Sequence, residues 1–122
     1  MFPVFGKDAS KKEVAALPQH GFARTSRWEF LGKSTSEGGE ARDGGDGSVK
    51  LDFGLSPSNL TDEARKAWPF EFGLIYSVTL GREGLTTSMV VRNEGETAWE
   101  FQLLLHSYLR VRVRFRTLFL VC

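Results

Sequence analysis

Short stretches of alternating apolar and polar residues, cut apart by glycine and proline, constrain this chain more than any other feature. Val49-Lys-Leu-Asp-Phe-Gly-Leu55 sets Val49, Leu51, Phe53 and Leu55 at every second position, with Lys50, Asp52 and Gly54 between them. A period of two puts the two sets on opposite faces of a strand, so the segment predicts a half-buried β-strand. The same reading gives strands over residues 26–32, 70–80, 85–92 and 98–109. Gly81-Arg-Glu-Gly84 reads as a hairpin turn, Asn93-Glu-Gly95 as the next turn, and residues 56–59 with Pro57 as another. In the last strand Trp99, Phe101, Leu103 and Leu105 share one face, and Gln102, Leu104 and His106 the other. The surrounding leucines predict a His106 that is at least partly buried.

One helix interrupts this pattern, over residues 60–68. Thr61 is placed to cap it, Asp62 and Glu63 follow in the first turn, Arg65 and Lys66 come late, and Pro69 stops it. Residues 1–19 read as an irregular lead-in with at most a turn of helix near residues 11–16. Residues 34–48, with Gly38-Gly39 and Gly44-Gly45, read as a solvated loop. Five or so short strands and one short helix make the chain mainly β and antiparallel. Ten Phe and three Trp supply a core, with 41% of residues hydrophobic.

Composition excludes several functions. The net charge is +1, which leaves no bulk attraction for nucleic acid or an anionic membrane. A single cysteine, Cys122, rules out an internal disulfide framework and a multi-Cys metal site, and it has no basic neighbour to activate it. No apolar run approaches the roughly 20 residues a membrane helix needs. The first residues do not read as a signal peptide, so a cytoplasmic protein is expected. The glycine pairs lack the Lys-Ser/Thr of a phosphate loop, and Asn59-Leu-Thr61 reads as a chance glycosylation match. No His, Asp or Glu spacing suggests a metal. Residues 110–122 carry four Arg and no acid before ending almost wholly apolar, a composition unlike what precedes them. That stretch reads as an edge strand or as sequence foreign to the fold, ahead of a polyanion-binding strand.

Two histidines, His20 and His106, remain as candidates for proton transfer, since imidazole gives and takes protons near neutral pH. His20 sits in Pro18-Gln-His-Gly-Phe-Ala-Arg24, a loop able to present Gln19, His20 and Arg24 to one pocket. Taken from spacing alone, His20 reads as an ordinary structural histidine, and His106 is evenly balanced between that and a reactive role. The aromatics Trp28, Phe53, Trp68, Phe72, Trp99 and Phe101 read chiefly as core, with one or two free to pack on the C–H face of a sugar.

The run Pro18-Gln-His-Gly-Phe-Ala-Arg-Thr-Ser-Arg-Trp28 resembles the glucose-6-phosphate 1-epimerase family, the hexose-6-phosphate mutarotases related to aldose 1-epimerase. Residues 49–58, Ala64-Arg-Lys-Ala-Trp-Pro69, Val90-Val-Arg-Asn-Glu94 and Leu103-Leu-Leu-His-Ser-Tyr108 carry the likeness further, so that it spans residues 2–110. The resemblance implies a β-sandwich of the galactose mutarotase type (a supersandwich), partial over residues 1–110, with 111–122 a divergent tail. It implies interconversion of the α and β anomers of glucose 6-phosphate by ring opening, with no cofactor or metal. A hexose 6-phosphate is then the partner, and the chain is expected to be monomeric, with neither nucleic acid nor membrane as a partner. His106 matches the histidine that acts as general acid on ring oxygen O5. His20 matches the second pocket histidine, and Gln19 and Arg24 match substrate-binding positions. Family members are well over twice as long. They carry a substrate-binding arginine upstream, and a pocket aspartate and general-base glutamate downstream, that have no counterpart here. The chain is therefore expected to be a truncated member short of its base. The alternatives are a non-catalytic sugar-phosphate-binding remnant and a non-functional truncated product.

Overall fold

The computed structural model describes residues 1–6, 11–35, 47–108 and 110. The cysteine, both glycine pairs and residues 111–122 lie outside them, as does most of the loop expected over 34–48. The described elements are α1 (Lys12–Ala15), β1 (Glu29–Thr35), β2 (Val49–Leu55), a 3-10 turn (Pro57–Asn59), α2 (Asp62–Ala67), β3 (Phe72–Leu80) and β4 (Leu85–Asn93). Among the described residues the strands form one four-stranded antiparallel sheet in the order β1-β2-β3-β4. The chain is thus mainly β, with strands that neighbour each other in sequence also neighbouring in space, as hairpin connections require.

The register explains which residues go inside. Leu55, Leu74 and Val91 lie across from one another on β2, β3 and β4, and Phe53, Tyr76 and Met89 form the next row on the same face. At the Leu55 end this face is covered by the core: Leu55, Leu74, Phe72, Leu60, Trp68, Phe2, Val4, Val14, Leu17 and Phe22 are all buried. Phe2 is fully buried and touches the rings of Phe22, Trp68, Phe72, Trp99 and Phe101 at centroid distances of 5.6–6.3 Å. Burying a ring of that size contributes about 1.5–3 kcal/mol before such edge contacts are counted. At the far end of the same face Leu80 and Leu85, opposite each other across the hairpin, are 60% and 64% exposed. The other face is more polar: the Ser77 hydroxyl donates to the Asp52 carboxylate across β2 and β3, and Lys50 Nζ pairs with Asp52 at 3.1 Å.

Helix α2 forms for the expected local reasons. The Thr61 hydroxyl accepts from the Ala64 N–H at 3.3 Å, capping the first turn, and acids precede bases along the helix. Arg65 ties it to the preceding 3-10 turn by donating Nη2 to the Pro57 carbonyl at 2.6 Å. Trp68 ends the helix and drops into the core.

Two expected strands differ. The first runs over Glu29–Thr35 rather than 26–32. Trp28 is withdrawn from the pleat because its indole N–H donates to the Ala23 carbonyl at 2.8 Å while its ring meets Tyr76 edge-on at 6.3 Å. A bulge between Phe30 and Gly32, where Gly32 takes a φ of +155°, then shifts the register. The last expected strand, over its described residues 98–108, does not join the sheet. Its early part runs instead beside the N-terminal residues: the Gln102 N–H donates to the Pro3 carbonyl at 2.8 Å, the Leu104 N–H to the Met1 carbonyl at 3.2 Å, and the Met1 amine to the Leu104 carbonyl at 2.6 Å. These pairs fall in antiparallel register, but proline has no N–H to return, so the ladder is incomplete. The segment is largely exposed. Phe101, read from its pattern as core, is 44% exposed, though one edge meets Phe2.

Candidate functional site

The fold joins two distant parts of the chain at one cleft of about 420 Å³, lined by Met1, Phe5, His20, Arg24, His106 and Tyr108. Three of the four residues singled out from sequence therefore meet there. Each is placed by an identifiable backbone device.

His20 and Arg24 come from the loop after α1. The Gly21 N–H donates to the Pro18 carbonyl at 2.9 Å, closing a four-residue turn whose third residue is His20. His20 has a φ of +72° and Gly21 one of +66°, a left-handed pair that L side chains rarely adopt. Gly21 has no alternative: a Cβ there would collide with the Phe2 carbonyl, because the two backbones form a parallel bridge. Beyond it the Phe2 carbonyl accepts from both Phe22 and Ala23 N–H groups, at 3.1 and 3.2 Å. The loop that carries His20 and Arg24 is thus fixed to the N-terminal residues by backbone contacts at Phe2.

The imidazole of His20 is held twice. Its Nδ1 lies 2.6 Å from the Phe5 carbonyl oxygen, and its ring lies 5.5 Å from the Phe5 ring at 43°. A carbonyl oxygen can only accept, so Nδ1 carries the proton. The half-buried ring then has Nε2 left to face a ligand.

His106 arrives from the segment that pairs with Met1 and Pro3. It stacks on Tyr108, centroid to centroid 4.7 Å at 28°. Contrary to the expectation of partial burial, His106 is exposed, because the segment pairs along one edge with the N-terminal residues and is not covered by a second layer among the described residues. Gln19 is the other departure. As the second residue of the turn it is exposed and does not line the cleft that takes His20 and Arg24.

Electrostatically the lining is one-sided. It holds a guanidinium and two imidazoles, and among the described residues no carboxylate. The Met1 amine shares the cleft; burial, then repulsion from the Arg24 guanidinium, lowers its pKa from the ordinary value. A cleft with this lining favours an anion, and Arg24 supplies the planar donor fork suited to phosphate or carboxylate. Among the described residues no group of three or more His, Cys, Asp or Glu is placed to hold a metal ion, and no helix is long and apolar enough to cross a membrane.

Sequence reasoning missed Phe5, Tyr108 and Gln102. Phe5 lay in what read as an irregular lead-in, and Tyr108 was one aromatic among many. Tyr108 lies two residues after His106, a weak signal, but nothing in the pattern brings Phe5 to His20 fifteen residues on.

A family profile described as aldose 1-epimerase matches residues 2–118. Its fold is a β-sandwich, in keeping with the antiparallel sheet described above. A match over nearly the whole chain, on top of a fold of the right class, places it: this chain belongs to the aldose 1-epimerase family.

Proposed function

We propose that the cleft of His20, Arg24 and His106 holds a hexose 6-phosphate, and that the reaction it serves is interconversion of the sugar's anomers. The family supplies the general chemistry, sugar anomer interconversion. The observation that carries the finer reading is the lining, in which the Arg24 guanidinium gathers with two imidazoles and no carboxylate among the described lining residues neutralises it. A neutral sugar has no use for that positive charge, and a phosphorylated one does.

In this reading His106 donates a proton to ring oxygen O5 as the C1–O5 bond breaks. The C1 hydroxyl loses its proton to a base, and the open-chain aldehyde forms. Rotation about C1–C2 and reclosure on the other face, with the protons returned, give the second anomer. His20, with Nδ1 committed to Phe5, offers Nε2 to a sugar hydroxyl, and Arg24 takes the phosphate.

No carboxylate, the group that the family resemblance assigns as base for the C1 proton, is among the described lining residues. That observation favours a second reading, in which the same cleft binds the sugar phosphate without turning it over. NMR exchange between the anomers of glucose 6-phosphate separates the two. Exchange faster than the spontaneous rate, lost on His106→Ala, supports the catalytic reading; saturable binding with no acceleration supports the second.

A further inference from the structure

The N-terminal residues and the segment that carries His106 are joined at Gln102 by two bonds of different kinds. The Gln102 backbone N–H donates to the Pro3 carbonyl at 2.8 Å, and its side-chain Oε1 accepts from the Phe5 N–H at 2.8 Å. The Phe5 N–H is thus taken by a side-chain oxygen where a regular ladder would use a backbone carbonyl. The donor being an N–H, the amide must present its oxygen, which fixes the orientation of the Gln102 side chain.

From Phe5 the path continues to the site. The carbonyl of the same residue takes His20 Nδ1 at 2.6 Å, and its ring lies against the imidazole. Gln102 Oε1, the Phe5 peptide groups and His20 Nδ1 therefore form a continuous chain of contacts. It starts four positions before His106 on one segment and ends at the imidazole of the other.

We propose that Gln102 is a positioning residue: through Phe5 it fixes the orientation and tautomer of His20 and couples its position to the segment bearing His106. The functional weight of this rests on the reading of the cleft as a sugar-phosphate site, but the clamp itself does not. Gln102 is not itself a lining residue; it reaches the lining only through Phe5. It acts by holding the Phe5 carbonyl where it engages Nδ1 and leaves Nε2 to face a ligand.

The test uses the full chain, isotope-labelled, with three substitutions at this exposed position. Gln102→Leu keeps the bulk and removes the acceptor. Gln102→Asn keeps the amide but is one methylene too short. Gln102→Glu keeps an oxygen at the same reach. Amide exchange at Phe5 is expected to quicken about tenfold in the Leu and Asn variants, the size of one lost hydrogen bond, and to stay near the parent rate in the Glu variant. The nitrogen spectrum of His20 is expected to show Nδ1–H in the parent and in Gln102→Glu, and a mixture of tautomers in Gln102→Leu. A destabilised fold would disturb amides throughout the sheet, so exchange at Ile75 and Val90 serves as the control. Unchanged Phe5 exchange and an unchanged His20 tautomer in Gln102→Leu would overturn the proposal, as would equal effects in Leu and Glu variants. The functional reading fails separately, if glucose 6-phosphate leaves the His20 and His106 signals of the parent chain unmoved.

Discussion

His20 Nδ1 donates to the Phe5 carbonyl at 2.6 Å while the His20 backbone sits at a φ of +72°. The turn and the hydrogen bond together fix one imidazole nitrogen and free the other. His20→Asn tests this division. Asparagine tolerates the left-handed region, so stability should stay within about 1 kcal/mol of the parent in chemical denaturation. Affinity for a sugar phosphate should fall about tenfold, the value of one lost hydrogen bond to the ligand.

Gly21 has no such latitude. Its φ of +66° and its close approach to the Phe2 carbonyl leave no room for a side chain. Gly21→Ala should destabilise the chain by about 2 kcal/mol or more, from the left-handed penalty and displacement of the Phe2 bridge together. Thermal melting measures it; a melting temperature equal to the parent's would show that the bridge does not hold the loop.

The core depends on Phe2 and Trp68, both nearly inaccessible to solvent. Phe2→Ala should cost about 3–5 kcal/mol, since one cavity would open against five aromatic neighbours. Trp68→Phe should cost less than its size suggests. The Trp68 indole N–H is buried with no hydrogen-bond partner among the described residues, and the substitution removes that unpaired donor along with the bulk. Denaturant titration of both variants gives the comparison; a larger loss for Trp68→Phe than for Phe2→Ala would contradict it.

On the polar face, the Ser77 hydroxyl, then Lys50, holds the Asp52 carboxyl below its ordinary value. A carboxylate whose folded pKa is lowered stabilises the fold above its unfolded value, near pH 4, and that contribution fades as pH falls through the folded value. Ser77→Ala should raise the Asp52 pKa toward the ordinary range and reduce the stability lost between neutral pH and pH 3. Carboxyl NMR titration reads the first effect and melting at the two pH values the second. An unmoved titration in Ser77→Ala would assign the lowering to Lys50 instead.

Much of this fold is legible in sequence where a single local rule decides the outcome. Val49–Leu55 forms β2 with the bounds its alternation gives, and Thr61 caps α2 as its position predicts. Where partners decide, the pattern is mute. Trp28 alternates like a strand residue, yet its indole is taken by the Ala23 carbonyl, so β1 begins later. Residues 98–109 alternate as well as β2 does, but Pro3 and Met1, not a sheet strand, receive their backbone. The site divides in the same way. Family likeness singled out His20, Arg24 and His106, which the structure brings to one cleft, and also Gln19, which it leaves outside. Gln102 and Phe5 carry no motif, and they emerge only when hydrogen bonds are followed from one segment to the other.

The central claim is that this cleft recognises the phosphate of a sugar, and titration of the isotope-labelled chain with glucose 6-phosphate and with glucose, followed by NMR, tests it most directly. The account predicts saturable shifts confined to His20, Arg24, His106 and their neighbours. Glucose 6-phosphate should bind about 10- to 100-fold more tightly than glucose, an advantage that disappears in Arg24→Ala, as expected for one charge-assisted contact. Equal response to the two sugars, or an advantage that survives Arg24→Ala, would contradict it.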